Sequence, residues 1–178
     1  MVRWNNSAQL AKRAMDESGA LPQAPATEQA ALQRRALIQL ARREHSRREL
    51  ERKLAREGAP VDLIRGVLDE LAERGLQSDA RYAEALVAAR LRRGQGVQRI
   101  RRELAESGID AELIDAVLAG VAIDWQQRAR EVCRQKFGTS TPPDRAEWAR
   151  RARFLQYRGF DAEVIRAVLA APSGEGVD

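Results

Sequence analysis

Apolar positions recur along the chain at helical spacing, and one pattern of them is written three times, about 50 residues apart. Residues 46–68 read SRRELERKLAREGAPVDLIRGVL, residues 96–118 read GVQRIRRELAESGIDAELIDAVL, and residues 147–169 read EWARRARFLQYRGFDAEVIRAVL. Aligned on Gly58, Gly108 and Gly159, the apolar positions coincide: Leu54, Leu104 and Leu155; Ile64, Ile114 and Ile165; Val67, Val117 and Val168; Leu68, Leu118 and Leu169. A fixed period of this length is the mark of a repeat architecture.

Local signals divide each copy into helix, helix, glycine stop, helix. Thr27 is an N-cap with Glu28 in the first turn, and Leu32, Ala36, Leu37, Leu40 and Ala41 share a face. Ser46 to Glu49 has the S-x-x-E form of a capping box. Gly58 supplies the left-handed residue of a Schellman cap, which pairs Ala59 with Leu54; the later copies offer Ile109 with Leu104 and Phe160 with Leu155. Pro60, Asp110 and Asp161 open the third helices. Ser78 caps a helix carrying Tyr82, Leu86, Val87 and Leu91, which Gly94-Gln95-Gly96 breaks. A further helix runs from near Trp125 through Ala129, Val132 and Cys133 to Phe137-Gly138, and Asp144 to Glu147 again has capping-box form. Nothing reads as a strand. The expected fold is all-α: a tandem array of three three-helix units forming an elongated, slightly curved body, because each unit leans chiefly on its neighbours. The expected boundaries are a flexible tail over 1–26, repeats over 27–76, 77–123 and 124–171, and a frayed end over 172–178. The tail has Leu10, Ala11, Ala14 and Met15 at helical spacing before Pro22 and Pro25 interrupt it.

Composition narrows the function. The 178 residues are 44% hydrophobic but only 4% aromatic, so aliphatic side chains fill the core. The net charge is +5, from 31 basic and 26 acidic residues, and the only lysines are Lys12, Lys53 and Lys136. Arginine forks match phosphate and carboxylate, which makes phosphate polymers and acidic protein surfaces candidate partners. Along the chain the first two helices of units one and two are basic and the third is acidic. From Arg90 to Arg102 there are six arginines and no acid: Arg90, Arg92, Arg93, Arg99, Arg101 and Arg102. Arg42, Arg43, Arg47 and Arg48 form a weaker cluster diluted by Glu44, Glu49 and Glu51, which reads more simply as paired surface charge. Like charges crowded around a glycine break repel one another unless a polyanion or acidic groove compensates them, so the second block is the expected contact surface.

Catalytic frameworks are missing from the sequence. His45, the single histidine, reads as a capping or surface group near a helix C-terminus. Cys133, the single cysteine, lies on an apolar stripe and forbids an intramolecular disulfide. One His and one Cys do not make a structural zinc site, and no phosphate-loop motif is present. Tyr82 and Tyr157 read as core packing rather than base stacking, and Trp125 and Trp148 as packing at unit junctions. The expectation is a non-enzymatic, cytoplasmic monomer with no cofactor, no metal and no membrane contact: there is no apolar run near the roughly 20 residues of a membrane helix and no secretory pattern.

These residues resemble the RecX family of bacterial regulators of the RecA recombinase. The resemblance runs from about Leu32 to Leu169. It rests on 41–50 (ARREHSRREL), 79–84 (DARYAE), 90–94 (RLRRG), and Arg158-Gly159-Phe160 with Val164-Ile165. Val97 stands where many members carry proline, and the tail before Thr27 has no family counterpart. The resemblance implies binding to the RecA–DNA filament along its helical groove, restraining strand exchange, ATP hydrolysis and repressor cleavage. On that reading the Arg90–Arg102 block is the main electrostatic contact and Arg42, Arg43, Arg47 and Arg48 a secondary one, with single- or double-stranded DNA a further partner. The alternatives are a direct DNA-binding helical protein and a helical adaptor for acidic proteins.

Overall fold

The computed structural model describes residues 28–170, together with Gln9, Lys12 and Arg13; the expected Leu10–Met15 turns, the Thr27 cap and the end at 172–178 lie outside the described residues. Residues 28–170 form nine helices and no strand: α1 (Glu28–Leu40), α2 (Arg47–Arg56), α3 (Val61–Glu73), α4 (Asp79–Arg92), α5 (Val97–Glu106), α6 (Ala111–Gly120), α7 (Trp125–Phe137), α8 (Arg145–Arg158) and α9 (Ala162–Leu169). They follow the helix, helix, glycine stop, helix pattern read from the sequence.

The glycine stops at Gly58 and Gly159 are Schellman caps. Gly58 takes φ +87°, its N–H donates to Ala55 O (3.0 Å), and Ala59 N–H donates to Leu54 O (3.3 Å). Gly159 takes φ +90° with the same two bonds, to Gln156 O (2.9 Å) and from Phe160 to Leu155 O (3.1 Å). Gly108 takes φ +85°. A side chain at such a φ is strained, which is why glycine occupies all three sites. The capping boxes are only half made. Ser46 Oγ accepts from Glu49 N–H (3.1 Å) and Asp144 Oδ1 from Glu147 N–H (2.7 Å). The glutamates do not reach back: Glu49 meets Arg43 and Tyr82, and Glu147 meets Arg150 and Arg151. Of the third-helix starts, Asp110 caps with its side chain, accepting from Leu113 N–H (2.7 Å), whereas Asp161 accepts from the Gln98 amide instead.

The chain divides into two compact units, Met1–Ala85 with Ser107–Leu113, and Leu86–Glu106 with Ile114–Asp178. In the first, α1, α2 and α3 pack on one another around Leu32, Leu40, Leu50, Leu54, Val67, Leu68 and Leu71, each almost fully buried. Burying one such side chain contributes roughly 1.5–3 kcal/mol, so this aliphatic core outweighs the charged exterior.

Three turns of the first unit are knotted by polar groups. Ser46 Oγ donates to Ser107 O (2.7 Å). Gln77 Nε2 donates to His45 O (3.3 Å) and Asp79 Oδ1 (2.8 Å), and Arg47 N–H donates to the same carboxylate oxygen (2.8 Å). Arg81 pairs with Glu44 (3.1 Å) and donates to Gly75 O (2.8 Å). The Tyr82 hydroxyl donates to Glu49 Oε1 (3.1 Å) and lies 2.9 Å from Ser107 Oγ. Burial raises the Tyr82 pKa, so the phenol stays a neutral donor. His45 corrects the expectation of a surface or charged group: it is 5% exposed. Its Nδ1 lies 3.1 Å from Arg43 O, so Nδ1 carries the proton, because a carbonyl only accepts. Burial is the main cause that holds its pKa below the ordinary 6.5.

In the second unit α7, α8 and α9 enclose Ala129, Val132, Cys133, Leu155, Phe160, Ile165 and Leu169. The chain just before α5 lies directly against the glycine stop of α8. Gly96 N–H donates to Arg158 O (2.8 Å) and Gln98 N–H to Gly159 O (3.0 Å). A Cβ on Gly96 would collide with the carbonyl of Gly159 and the nitrogen of Phe160, both backbone groups that have no rotamer to escape into. Gly66, in the middle of α3, has open space around it.

Two outcomes follow. Gly96→Ala lowers unfolding free energy by roughly 1–3 kcal/mol, the cost of overpacking, while Gly66→Ala raises it by about 0.5–1 kcal/mol as a helix-interior replacement; chemical denaturation of both variants checks the contrast. His45 binds its proton less readily folded than unfolded, so its contribution is full above pH 6.5 and is lost as pH falls below that value toward the depressed folded pKa. Denaturation curves for the unsubstituted chain and His45→Gln, measured from pH 7.5 down to 5.5, are expected to fall more steeply for the unsubstituted chain.

Candidate functional site

The ten sequence-selected arginines fall into two groups, one in each compact unit. In the first unit, Arg42 and Arg43 lie in the exposed turn after α1, and Arg43 pairs with Glu49 (2.9 Å). Arg47 opens α2 and pairs with Glu51 (3.1 Å) and Asp69 (2.6 Å). Arg48 is exposed, but its stem lies on Gly108, where a Cβ would sit 2.6 Å from Arg48 Cδ. Here two of the four arginines, Arg43 and Arg47, are matched by neighbouring acids.

The Arg90–Arg102 block lies in the second unit. It is acid-free along the sequence, but the fold supplies acids to half of it. Glu103, one position beyond the block, sits between Arg90 and Arg99, bonded to both Nε groups, the latter at 3.2 Å. Arg101 pairs with Asp115 of α6. The expectation of six mutually repelling arginines therefore needs correcting: three of them hold the local structure. Arg92, Arg93 and Arg102 are exposed.

The Arg90–Arg99 region gains cations that the sequence reading missed. Gly94 turns the chain after α4 with φ +68°, and a Cβ there would meet Val132 Cγ2 at 2.9 Å. Arg158 of α8 donates to Arg93 O (2.7 Å) and Arg128 of α7 donates to Leu91 O, so two guanidiniums close the C-terminal carbonyls of α4. Between them is a cavity of about 280 Å³ lined by Arg92, Arg93, Gly94, Arg128, Val132, Gln135, Lys136, Phe154 and Arg158. The Lys136 ammonium lies 4.4 Å, and the Arg158 guanidinium 5.1 Å, from the centroid of the Phe154 ring. The available signal was helical spacing, since Arg128, Val132, Gln135 and Lys136 share one face of α7, and Phe154 and Arg158 one face of α8.

The aromatic residues split. Tyr82 is buried as expected, but Tyr157 is 76% exposed, which corrects its assignment to core packing. The Arg99 guanidinium lies 5.7 Å from the centre of its ring. Trp148 is 36% exposed, and Cys133 is buried, with burial raising its thiol pKa. No group of three or more metal-ligating side chains occurs among the described residues, and none of their helices is long and apolar enough to cross a membrane.

Three family models match the chain in series: the RecX first three-helix domain over residues 34–71, the second over 78–118 and the third over 123–169. The chain belongs to the RecX family. Regulatory protein RecX of Pseudomonas fluorescens is 45% identical over 148 residues, which cover 83% of this chain and 94% of the relative. Regulatory protein RecX of Halorhodospira halophila is 48% identical over 136 residues, covering 76% and 84%. The crystal structure of RecX from Lactobacillus salivarius superimposes with a TM-score of 0.68 at 20% identity, covering 79% of this chain and 94% of that one, a likeness of fold. RecX relatives of this chain are thus named as regulatory proteins, and the all-α, three-helix-unit fold is shared with a solved member.

If Glu103 holds Arg90 and Arg99 together, Glu103→Gln leaves two facing cations unmatched. The expected loss is about 1 kcal/mol in dilute buffer, shrinking at high salt as the repulsion is screened. Melting curves at low and high sodium chloride check both the loss and its recovery.

Proposed function

We propose that this chain is a non-enzymatic regulator that binds the RecA–DNA filament in its helical groove and inhibits recombination, ATP hydrolysis and repressor cleavage, tempering the SOS response. The observation that carries the reading is membership of a family whose members, at 45–48% identity, are named regulatory proteins. The exposed arginines support it: Arg92, Arg93 and Arg102 present cations to an acidic protein groove or to DNA phosphates. The mechanism is steric. A chain of helical repeats, over 27–76, 77–123 and 124–171, occupies the groove across adjacent subunits and blocks DNA pairing. Arg90, Arg99 and Arg101 act indirectly, since their carboxylate partners tie them to α5 and α6. Arg42, Arg43, Arg47 and Arg48 form a secondary contact.

A second reading, direct binding to DNA, is favoured by Tyr157, which stands exposed beside Arg99 as a base-stacking platform would. A paired titration separates the two. Affinity is measured for naked single-stranded DNA and for the same DNA coated with recombinase, across a salt series. On the filament reading, naked DNA binds markedly more weakly than filament, and Arg92→Ala/Arg93→Ala/Arg102→Ala weakens filament binding by about tenfold or more with an unchanged melting curve. Equal affinity for both forms, with a steep fall of log K against log salt, selects the DNA reading. Unchanged filament affinity in the triple variant overturns the assignment of these arginines.

A further inference from the structure

We infer that the cavity between the α4 C-terminus, α7 and α8 is a binding site for a phosphate group. Its lining contains five cationic side chains, Arg92, Arg93, Arg128, Lys136 and Arg158, and no carboxylate. Arg128 has an acid partner on its own helix, Glu131 at 2.8 Å. Arg93 and Lys136 have no carboxylate within ion-pairing distance among the described residues. Bringing these charges together costs free energy, and the Phe154 ring repays only part of it by facing Lys136 and Arg158. An anion in the cavity removes the rest.

The geometry selects the kind of anion. Arg158 and Arg128 are held in place by the Arg93 and Leu91 carbonyls, and each keeps further N–H donors beyond those bonds. The site therefore offers forked donors from two pre-positioned arginines and a point charge from Lys136. A carboxylate has two oxygens and a single charge, enough for one fork. A phosphate group, with its tetrahedral oxygens, meets donors arriving from three helices. At about 280 Å³ the cavity lies below the usual range for drug-sized ligands, about 300–1,000 Å³, and suits one phosphate group rather than a whole nucleotide. That phosphate comes either from a nucleic-acid backbone or from free phosphate.

The site shares Arg92 and Arg93 with the proposed filament contact but does not require it, and its test contains no recombinase, so the two fail separately. The full chain is titrated calorimetrically with inorganic phosphate, with a short single-stranded oligothymidylate, and with acetate, at constant ionic strength. Lys136→Gln and Arg93→Gln are compared with Lys136→Arg and with Arg34→Gln, an exposed arginine of α1 that does not line the cavity. The expected result is saturable binding of phosphate, oligonucleotide or both, at least tenfold weaker in Lys136→Gln and Arg93→Gln, and retained in Lys136→Arg and Arg34→Gln. Binding of inorganic phosphate assigns the site to a free phosphate group, and binding of the oligonucleotide alone assigns it to the nucleic-acid backbone. Lys136 and Arg93 are exposed, so the variants are expected to fold, and circular dichroism checks that they do. The inference is overturned if neither phosphate ligand binds the unsubstituted chain, if acetate binds as tightly as phosphate, or if Lys136→Gln and Arg93→Gln bind as tightly as the unsubstituted chain.

Discussion

A helix end closed by a left-handed glycine, seated on the start of another helix, is the contact on which the rest of the chain depends. It occurs once in each compact unit. In the first, Ser46 Oγ donates to Ser107 O, and Gly108 lies against the stem of Arg48. In the second, Gly96 N–H donates to Arg158 O, and Gly159 lies against the Arg99 backbone. The accepting carbonyls belong to the last turn of a helix, where no intrahelical donor is available. Ser46 and Gly96 occupy the same place in their repeats but supply the donor differently, one from a hydroxyl and one from its own backbone. A Gly108 or Gly159 with a side chain would meet the facing chain as well as its own unfavourable φ. The spacing of about 50 residues between Gly108 and Gly159 is therefore a packing requirement: each of these two stops must arrive where a preceding helix start can receive it.

The polar knot of the first unit performs the same task with side chains. Buried polar groups remain only where they are hydrogen-bonded, and Ser46, Gln77, Asp79, Arg81 and Tyr82 satisfy one another or the backbone of neighbouring turns. Two segments of the family resemblance, 41–50 and 79–84, are the segments that meet here. What looked like a motif of surface charge and one histidine is an internal joint, and His45 is neutral because it lies inside that joint, where burial disfavours its charge.

Most of the fold was legible because its signals are local. Gly58, Gly108 and Gly159 announce their caps through backbone chemistry that needs only four or five neighbouring residues, and the apolar faces of α1, α3 and α7 follow from spacing. What could not be read depends on residues distant in sequence. Glu49 abandons its capping box because Arg43 and Tyr82 compete for its carboxylate. Asp161 leaves its helix start for Gln98, which is 63 residues away. Tyr157 lies on α8 two positions beyond buried Leu155, on the opposite face of the helix, and so stands exposed. Helical spacing alone does not show where a neighbouring element ends.

The charge pattern illustrates the same limit and gives the candidate site its physical basis. A run of arginines is one-dimensional, whereas a field is set by which charges converge in space. Folding brings Glu103 and Asp115 to three arginines of the 90–102 block and so spends their charge on local structure. It then brings Lys136, Arg128 and Arg158, none of them in the run, to the side of Arg92 and Arg93. Exposed ion pairs contribute little to stability, about 0–1 kcal/mol each, so pairing alone gives no reason to gather cations at one place without acids. Capping explains two of them, because Arg128 and Arg158 close the end of α4. It does not explain Lys136 or the side chain of Arg93, which close no helix. Local structure therefore accounts for part of this positive field, and a bound anion accounts for the cations that remain.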